Sequence, residues 1–256
     1  MRIYLSVLLV ISIGFSSCQK ILDFYHNQHH QDEELDCKVT SLAWTNLGFH
    51  DLTTISYDDA GFPVNINYLS KDAEDQPILE FDFKYNYDSW YRLVSETSVY
   101  VYGPKVVYHL YKGTDKLPYK DSIPGLFGDI HTEEFERDAS GRIIQVTAKG
   151  FWPEGVDEEP FPTEVFKYFY DMNGDRQEDP GNPHYPGVIY YTDKPSLYSL
   201  HSVWQIVHKN SSKHSIDYGA TFNQNELPLS IKSGDIPNFQ NFLDLRPSST
   251  LTYECE

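Results

Sequence analysis

From residue 50 onward one pattern of positions recurs. Apolar and polar residues alternate up to an aromatic residue, Asp or Asn follows, then two small or polar residues and Gly, and alternation resumes. It occurs over 55–66 (Tyr57-Asp58-Asp-Ala-Gly61), 83–94 (Tyr87-Asp88-Ser-Trp-Tyr91), 135–146 (Arg137-Asp138-Ala-Ser-Gly141), 168–175 (Tyr170-Asp171-Met-Asn-Gly174) and, degenerately, 220–229 (Phe222-Asn223-Gln-Asn-Glu226). Period-two alternation gives a strand with one buried and one wet face. Asp or Asn opens a turn by bonding nearby backbone, and Gly supplies the positive φ that closes it. Each copy is therefore predicted to be a β-hairpin.

Other segments extend the same reading. Residues 98–102 and 106–111 are predicted strands around a turn at Gly103-Pro104-Lys105, and 250–255 is a predicted last strand. One helix is expected near 195–209. Pro195 suits a first helical position, Leu197, Leu200, Val203, Trp204 and Val207 follow at helical spacing, and Asn210 can end it. Its apolar stripe is expected to cap one end or face of the sheet, with Trp204 in the core. Segments 113–129, 150–163 and 175–186, rich in Pro, Gly and charge, are expected loops. The fold class is all-β: an antiparallel meander of hairpins forming a rolled sheet or barrel, with one short helix.

Composition narrows the partners. The chain has 256 residues, 20 Lys+Arg against 38 Asp+Glu and a formal charge of −18. That balance disfavours nucleic acid and anionic membrane surfaces. At 40% hydrophobic and 15% aromatic, the chain is too apolar for a disordered protein. Three cysteines cannot form a disulfide-dense scaffold.

The amino terminus supplies the localisation. Arg2 precedes an apolar run from Ile3 to Phe15, and Ser16-Ser17-Cys18 ends it. The run is too short for an ordinary membrane span and fits an export signal over residues 1–17. Small residues directly before Cys18 resemble the lipobox of bacterial lipoproteins, although Phe15 stands where Leu is commonest. That resemblance implies an acylated Cys18 as the mature terminus and a membrane partner reached through lipid rather than through a span. Gln19, where Asp marks inner-membrane retention in such proteins, implies the outer membrane, on its periplasmic or cell-surface face. With Arg2 removed, 19 basic and 38 acidic residues leave a net −19.

Residues 19–36 read as a polar tether. His26, His29 and His30 beside acids have the donors of a Zn or Cu site, but a solvated linker explains them too. A single β domain is expected over 37–256. An exported chain with Cys18 lipidated retains Cys37 and Cys255, and an oxidising compartment invites one disulfide between them. Such a bridge joins the first and last strands.

The hairpin motif resembles the YD repeats of Rhs-type proteins, whose core is Tyr-Asp-x-x-Gly-Arg. Only 135–146 carries Gly141-Arg142, and its aromatic slot holds Arg137. The slots at 57, 87, 137, 170 and 222 are spaced by 30, 50, 33 and 52 residues, looser than such arrays. Taken with the lipobox and the closing Tyr253-Glu-Cys255, the chain resembles Bacteroidota-type surface lipoproteins of unassigned function. That resemblance implies an envelope lipoprotein and carries over no catalytic residue.

Two loops hold candidate chemistry. Trp152, Glu154 and Asp157 place an aromatic beside carboxylates, a combination that can stack on a sugar ring and bond its hydroxyls. Adjacent acids on a loop do not set the fixed carboxyl separation a glycosidase needs. Asp171, Asn173 and Asp175 offer oxygen ligands for Ca²⁺, without the glycine and terminal glutamate of an EF-hand, and turn chemistry already accounts for them. No cofactor is otherwise expected. No nucleophile-elbow, zincin, P-loop or dinucleotide fingerprint occurs. The expectation is a non-enzymatic binding or envelope-interaction module for a glycan or protein ligand, with a surface hydrolase of polysaccharide as the alternative. Two carboxylates facing across a cleft would favour the hydrolase.

Overall fold

The computed structural model describes residues 37–46, 49–100, 103–156, 159, 161–177, 189–217, 219–230 and 249–255. All belong to the unit Cys37–Glu256. The signal, Cys18 and the tether lie outside the described residues, as does Asp157.

The strands follow in chain order: β1 (Cys37–Asn46), β2 (Phe49–Tyr57), β3 (Pro63–Lys71), β4 (Pro77–Tyr87), β5 (Leu93–Tyr100), β6 (Gly103–Leu110), β7 (Lys120–Pro124), β8 (Ile130–Arg137), β9 (Ile143–Phe151) and β10 (Glu164–Lys167). Then come β11 (Phe169–Tyr170), β12 (Arg176–Gln177), β13 (Tyr191–Pro195), the helix α1 (Ser202–Val207), β14 (His214–Ile216), β15 (Thr221–Phe222), β16 (Pro228–Ser230) and β17 (Thr250–Cys255). Thirteen strands form one antiparallel sheet, from β10 back in sequence to β1 and on through β17 and β16 to β15. The β11–β12 and β13–β14 pairs stand apart from it.

One turn recurs through this meander, starting at Asp58, Asp72, Asp88, Asp138, Asp171 and Asn223. In each, the side-chain Oδ1 accepts from the backbone N–H two and four residues on, at 2.8–3.1 Å. The first residue's own N–H donates to the carbonyl four residues on. The fourth position has positive φ throughout, from +58° to +89°. This is a three-residue hairpin loop closed by a left-handed residue, whose twist suits the flanking strands. The turn at Asp72 escapes the sequence pattern because it lacks both signals at once: Lys71 stands in the aromatic slot and Asp75, not Gly, in the left-handed position.

Tyrosine hydroxyls tie one hairpin to the next. Tyr87 donates to the carbonyl of Pro63, Tyr111 to Leu93, Tyr191 to Arg176 and Tyr253 to Pro228. Each acceptor lies five residues past the Asp or Asn that opens a preceding turn. Burial raises the pKa of Tyr87, Tyr111 and Tyr253, so all three remain donors. Arg137, in the aromatic slot of its copy, donates instead to the carbonyls of Gly141 and Pro118.

The Cys37–Cys255 disulfide is present, between directly paired residues of β1 and β17 with Cα atoms 4.0 Å apart. The antiparallel meander is as expected, and of its two expected forms the closed barrel is not the one adopted. β1 pairs on both sides, with β2 and β17, so the bridge lies within the sheet, and its outer strands β10 and β15 do not pair with each other.

Three local expectations are corrected. Pro195 ends β13. Ser196 caps a 3₁₀ turn over Leu197–Leu200, and His201 caps α1, because its Nδ1 accepts the Val203 N–H and interrupts a continuous helix. Tyr100 pairs with Gly103, so Gly103, Pro104 and Lys105 begin β6 instead of forming the turn. The expected loop 113–129 contains β7, which pairs with both β6 and β8.

The helical stretch covers one face of the sheet. Leu197, Tyr198, Val203, Trp204 and Val207 pack with Val39, Leu42, Ile55, Ile66, Phe83, Tyr85, Leu93 and Leu251, and Trp204 is only 1% exposed. Each such side chain stabilises the fold by about 1.5–3 kcal/mol on burial. Burial also depresses His208 to about 3, so it stays neutral beside Tyr198.

Replacing Cys37 and Cys255 together with Ala is expected to cost up to about 5 kcal/mol in denaturant unfolding, the chain-entropy value for so long a loop. Tyr87→Phe is expected to cost about 1–2 kcal/mol by the same measurement, since it strands the Pro63 carbonyl.

Candidate functional site

The covered face of the sheet changes character across its width. From β1 to β4 its inward positions against the helical stretch are apolar, with Thr53, Asp51 and Ser70 further along the same face. From β5 on they become titratable: Glu96, then His109 on β6, Asp121 on β7 and Glu133 on β8. Tyr85 pairs with Glu96, and one cross-strand row runs His109–Asp121–Glu133–Ala148–Glu164. Side chains directly opposite on one face stand within interaction distance.

The hydrogen bonds define a buried network. His109 Nδ1 and Asp121 Oδ1 are 2.7 Å apart, and His109 Nε2 lies 3.8 Å from Glu96 Oε1. Lys209, just past α1 and itself at φ +50°, pairs with Glu133 and approaches Asp121 at 4.0 Å. Burial opposes the Lys209 charge, but Glu133 and Asp121 outweigh it and its pKa is raised. Burial also raises the pKa of Glu96, against the opposing attraction of His109. His109 Nε2 has no hydrogen-bond partner, so no hydroxyl is activated there, and its side chain is 1% exposed.

Beside it the same face opens into a cavity of about 620 Å³. Ile123, Leu126, Ala148, Phe161, Pro162 and the backbone of Gly150 provide apolar surface, Lys105, Asp129, Glu133 and Glu164 provide charge and His131 a polar ring, while Lys149, paired with Thr132 in the alternate row, borders the cavity from a position that turns its side chain to the other face of the sheet. Phe161 sits so close to β9 that a Cβ at Gly150 would come within 2.5 Å of its ring. The Asp129 carboxylate folds over Gly125 and pairs with His131 at 2.8 Å.

The sequence-predicted residues divide. Trp152 is half-buried rather than displayed: its ring stacks on Phe161 at 4.5 Å and its Nε1 donates to the Glu159 carbonyl. It braces the cavity wall instead of offering a free face. Glu154 is exposed on the loop after β9. Asp171, Asn173 and Asp175 do not converge. Asp171 closes its own turn and Asn173 is exposed. Asp175, fully buried, accepts from the Lys213 and His214 N–H groups and pairs with His214 Nδ1 at 2.7 Å. No group of His, Cys, Asp and Glu among the described residues is arranged to hold a metal. The sequence reading missed Lys105, Phe161 and the inward carboxylates. Their only signal was charge at alternate strand positions where a sheet core is normally apolar.

No helix among the described residues is long and apolar enough to cross a membrane. No protein-family model matches the chain, and no curated protein sequence matches it. Among solved structures, a porin-like protein from Bacteroides uniformis resembles it with a TM-score of 0.48 and 12% identity, over 87% of this chain and 98% of that one. At that level the likeness carries nothing about function.

Glu96→Gln is expected to stabilise the protein at neutral pH. A carboxyl whose folded pKa is raised stabilises only while protonated, and that contribution is lost as pH climbs through the folded value. The gain over the parent, read from urea midpoints, should be small near pH 4 and grow towards pH 7. A constant gain across that range would show that Glu96 is not held towards its neutral form.

Proposed function

We propose that this protein is a non-enzymatic envelope lipoprotein, lipid-anchored through Cys18 at the outer membrane, whose YD-like hairpin sheet presents a ligand-binding cavity. The single observation that carries the binding reading is the 620 Å³ cavity. Its size and mixed lining, apolar with a few convergent polar groups, are those of small-molecule and peptide pockets. It lies on paired strands rather than on a long loop, which favours a preorganised site.

The carboxylates speak against hydrolysis. Glycoside cleavage needs one carboxyl to hold a proton and another to act across the scissile bond. Here Glu133 is held by Lys209 and Asp129 by His131. The anchor and the outer-membrane location rest on the signal-like residues 1–17, Cys18 and Gln19.

The test uses the full chain in detergent on glycan and peptide arrays, beside an Ala148→Phe variant. Ala148 lines the cavity, so Phe is expected to occupy it. Binding to a defined class, weakened at least about tenfold in the variant at an unchanged melting temperature, supports the reading. Array silence together with polysaccharide hydrolysis would reverse it in favour of an enzyme.

A further inference from the structure

Two of the carboxylates in the cavity already have partners. Asp129 is hydrogen-bonded to His131 and Glu133 is paired with Lys209. That leaves Lys105 on β6 and Glu164 on β10, both exposed and both lining the cavity. Neither side chain has a hydrogen bond or a close ion pair among the described residues, Lys105 acting on Glu96 only at longer range. The site therefore offers one available cation, one available carboxylate and apolar surface between them.

The two lie at opposite ends of the site. β6 and β10 are four strand spacings apart, about 19 Å at the usual separation. Along the strands, Lys105 is four residues from His109, whose cross-strand row ends at Glu164, about 13 Å at the usual rise. The diagonal is thus roughly 23 Å between backbones, and less between the charged groups, since both side chains line the cavity. A fully extended pentapeptide spans at most about 17 Å.

We propose that the cavity binds a short peptide with free termini, its carboxylate on Lys105, its amino group on Glu164 and its apolar side chains against Ile123, Leu126 and Phe161. This rests on the binding reading above. A neutral glycan would leave both charges unanswered, and a fatty acid would answer only Lys105. A zwitterionic chain of about five residues answers both, in a groove whose remaining carboxylates are already paired.

The test incubates the full chain in detergent with a random pentapeptide pool bearing free termini, and reads the bound fraction by mass spectrometry. Parallel pools are acetylated at the amino end or amidated at the carboxyl end. Capping either end is expected to lower retention about tenfold, the order of one lost charge contact at a partly desolvated site. Lys105→Glu should erase the penalty for amidation and Glu164→Lys the penalty for acetylation. Both residues are exposed, so melting temperatures should not change. Equal retention of free and capped pools, or no retention of any pool, overturns the peptide proposal. Glycan binding that Ala148→Phe abolishes, with the peptide pools silent, overturns it too but leaves the cavity as a binding site. Peptide retention unaffected by Ala148→Phe would place the binding elsewhere and remove the cavity reading itself.

Discussion

The architecture depends on one short-range interaction: an Asp or Asn carbonyl or carboxylate oxygen accepting two backbone N–H groups across a hairpin turn. Because side chains on a strand alternate with period two, a slip of one residue in any hairpin would exchange its two faces. The turn fixes the register at Asp58, Asp72, Asp88, Asp138, Asp171 and Asn223 before any distant contact forms. The tyrosine hydroxyls then join one hairpin to another, from a later part of the chain to the carbonyl just beyond an earlier turn. Arg92 and Arg142 reinforce the scheme. Each bonds the Asp four residues before it and lies over an aromatic ring, Tyr111 or Tyr170, at about 4.6 Å.

Register in turn determines what the covered face presents. The same alternation that puts Ile66 and Phe83 under α1 puts Glu96, His109, Asp121 and Glu133 inward on the strands that follow. Burying several charges costs desolvation that their mutual attraction only partly repays. Hydrophobic residues would serve stability at least as well, so the cluster is poorly explained by stability alone. It fastens Lys209, and with it the end of α1, to the sheet beside the cavity. The apolar half of the face holds the fold together and the polar half shapes the site.

Much of the fold was legible because its signals are local. Asp58-x-x-Gly61 and Asp138-x-x-Gly141 announce their turns, and the strand 250–255 was located to the residue. At Asp72 the turn was invisible, since neither an aromatic residue before it nor Gly at the left-handed position marks it, whereas Tyr87 and Phe222 still flag the turns closed by Tyr91 and Glu226. β7 was hidden for a different reason: Pro118 precedes it, Pro124 ends it, and its buried residue is Asp121, whose partners His109 and Lys209 are remote in sequence. The candidate site was less legible than the fold. Trp152 was found, but its role as a brace depends on Phe161, and Phe161 reaches the sheet only because Gly150 has no side chain. Lys105 and Glu164 share a cavity through a register spanning β6 to β10, and no local pattern encodes that.

The disulfide has a mechanical consequence. Cys37 is the first residue of β1, and whatever precedes it pulls on the sheet at that point. A strand drawn from its end across its hydrogen bonds opens one pair at a time, the weakest way to load a sheet. The bond to Cys255 passes such a pull covalently to β17 before β1 can peel, so tension is shared between two strands and through them by β2 and β16. The closure that stabilises the resting fold thus also makes the Cys37 end of the sheet resistant to force.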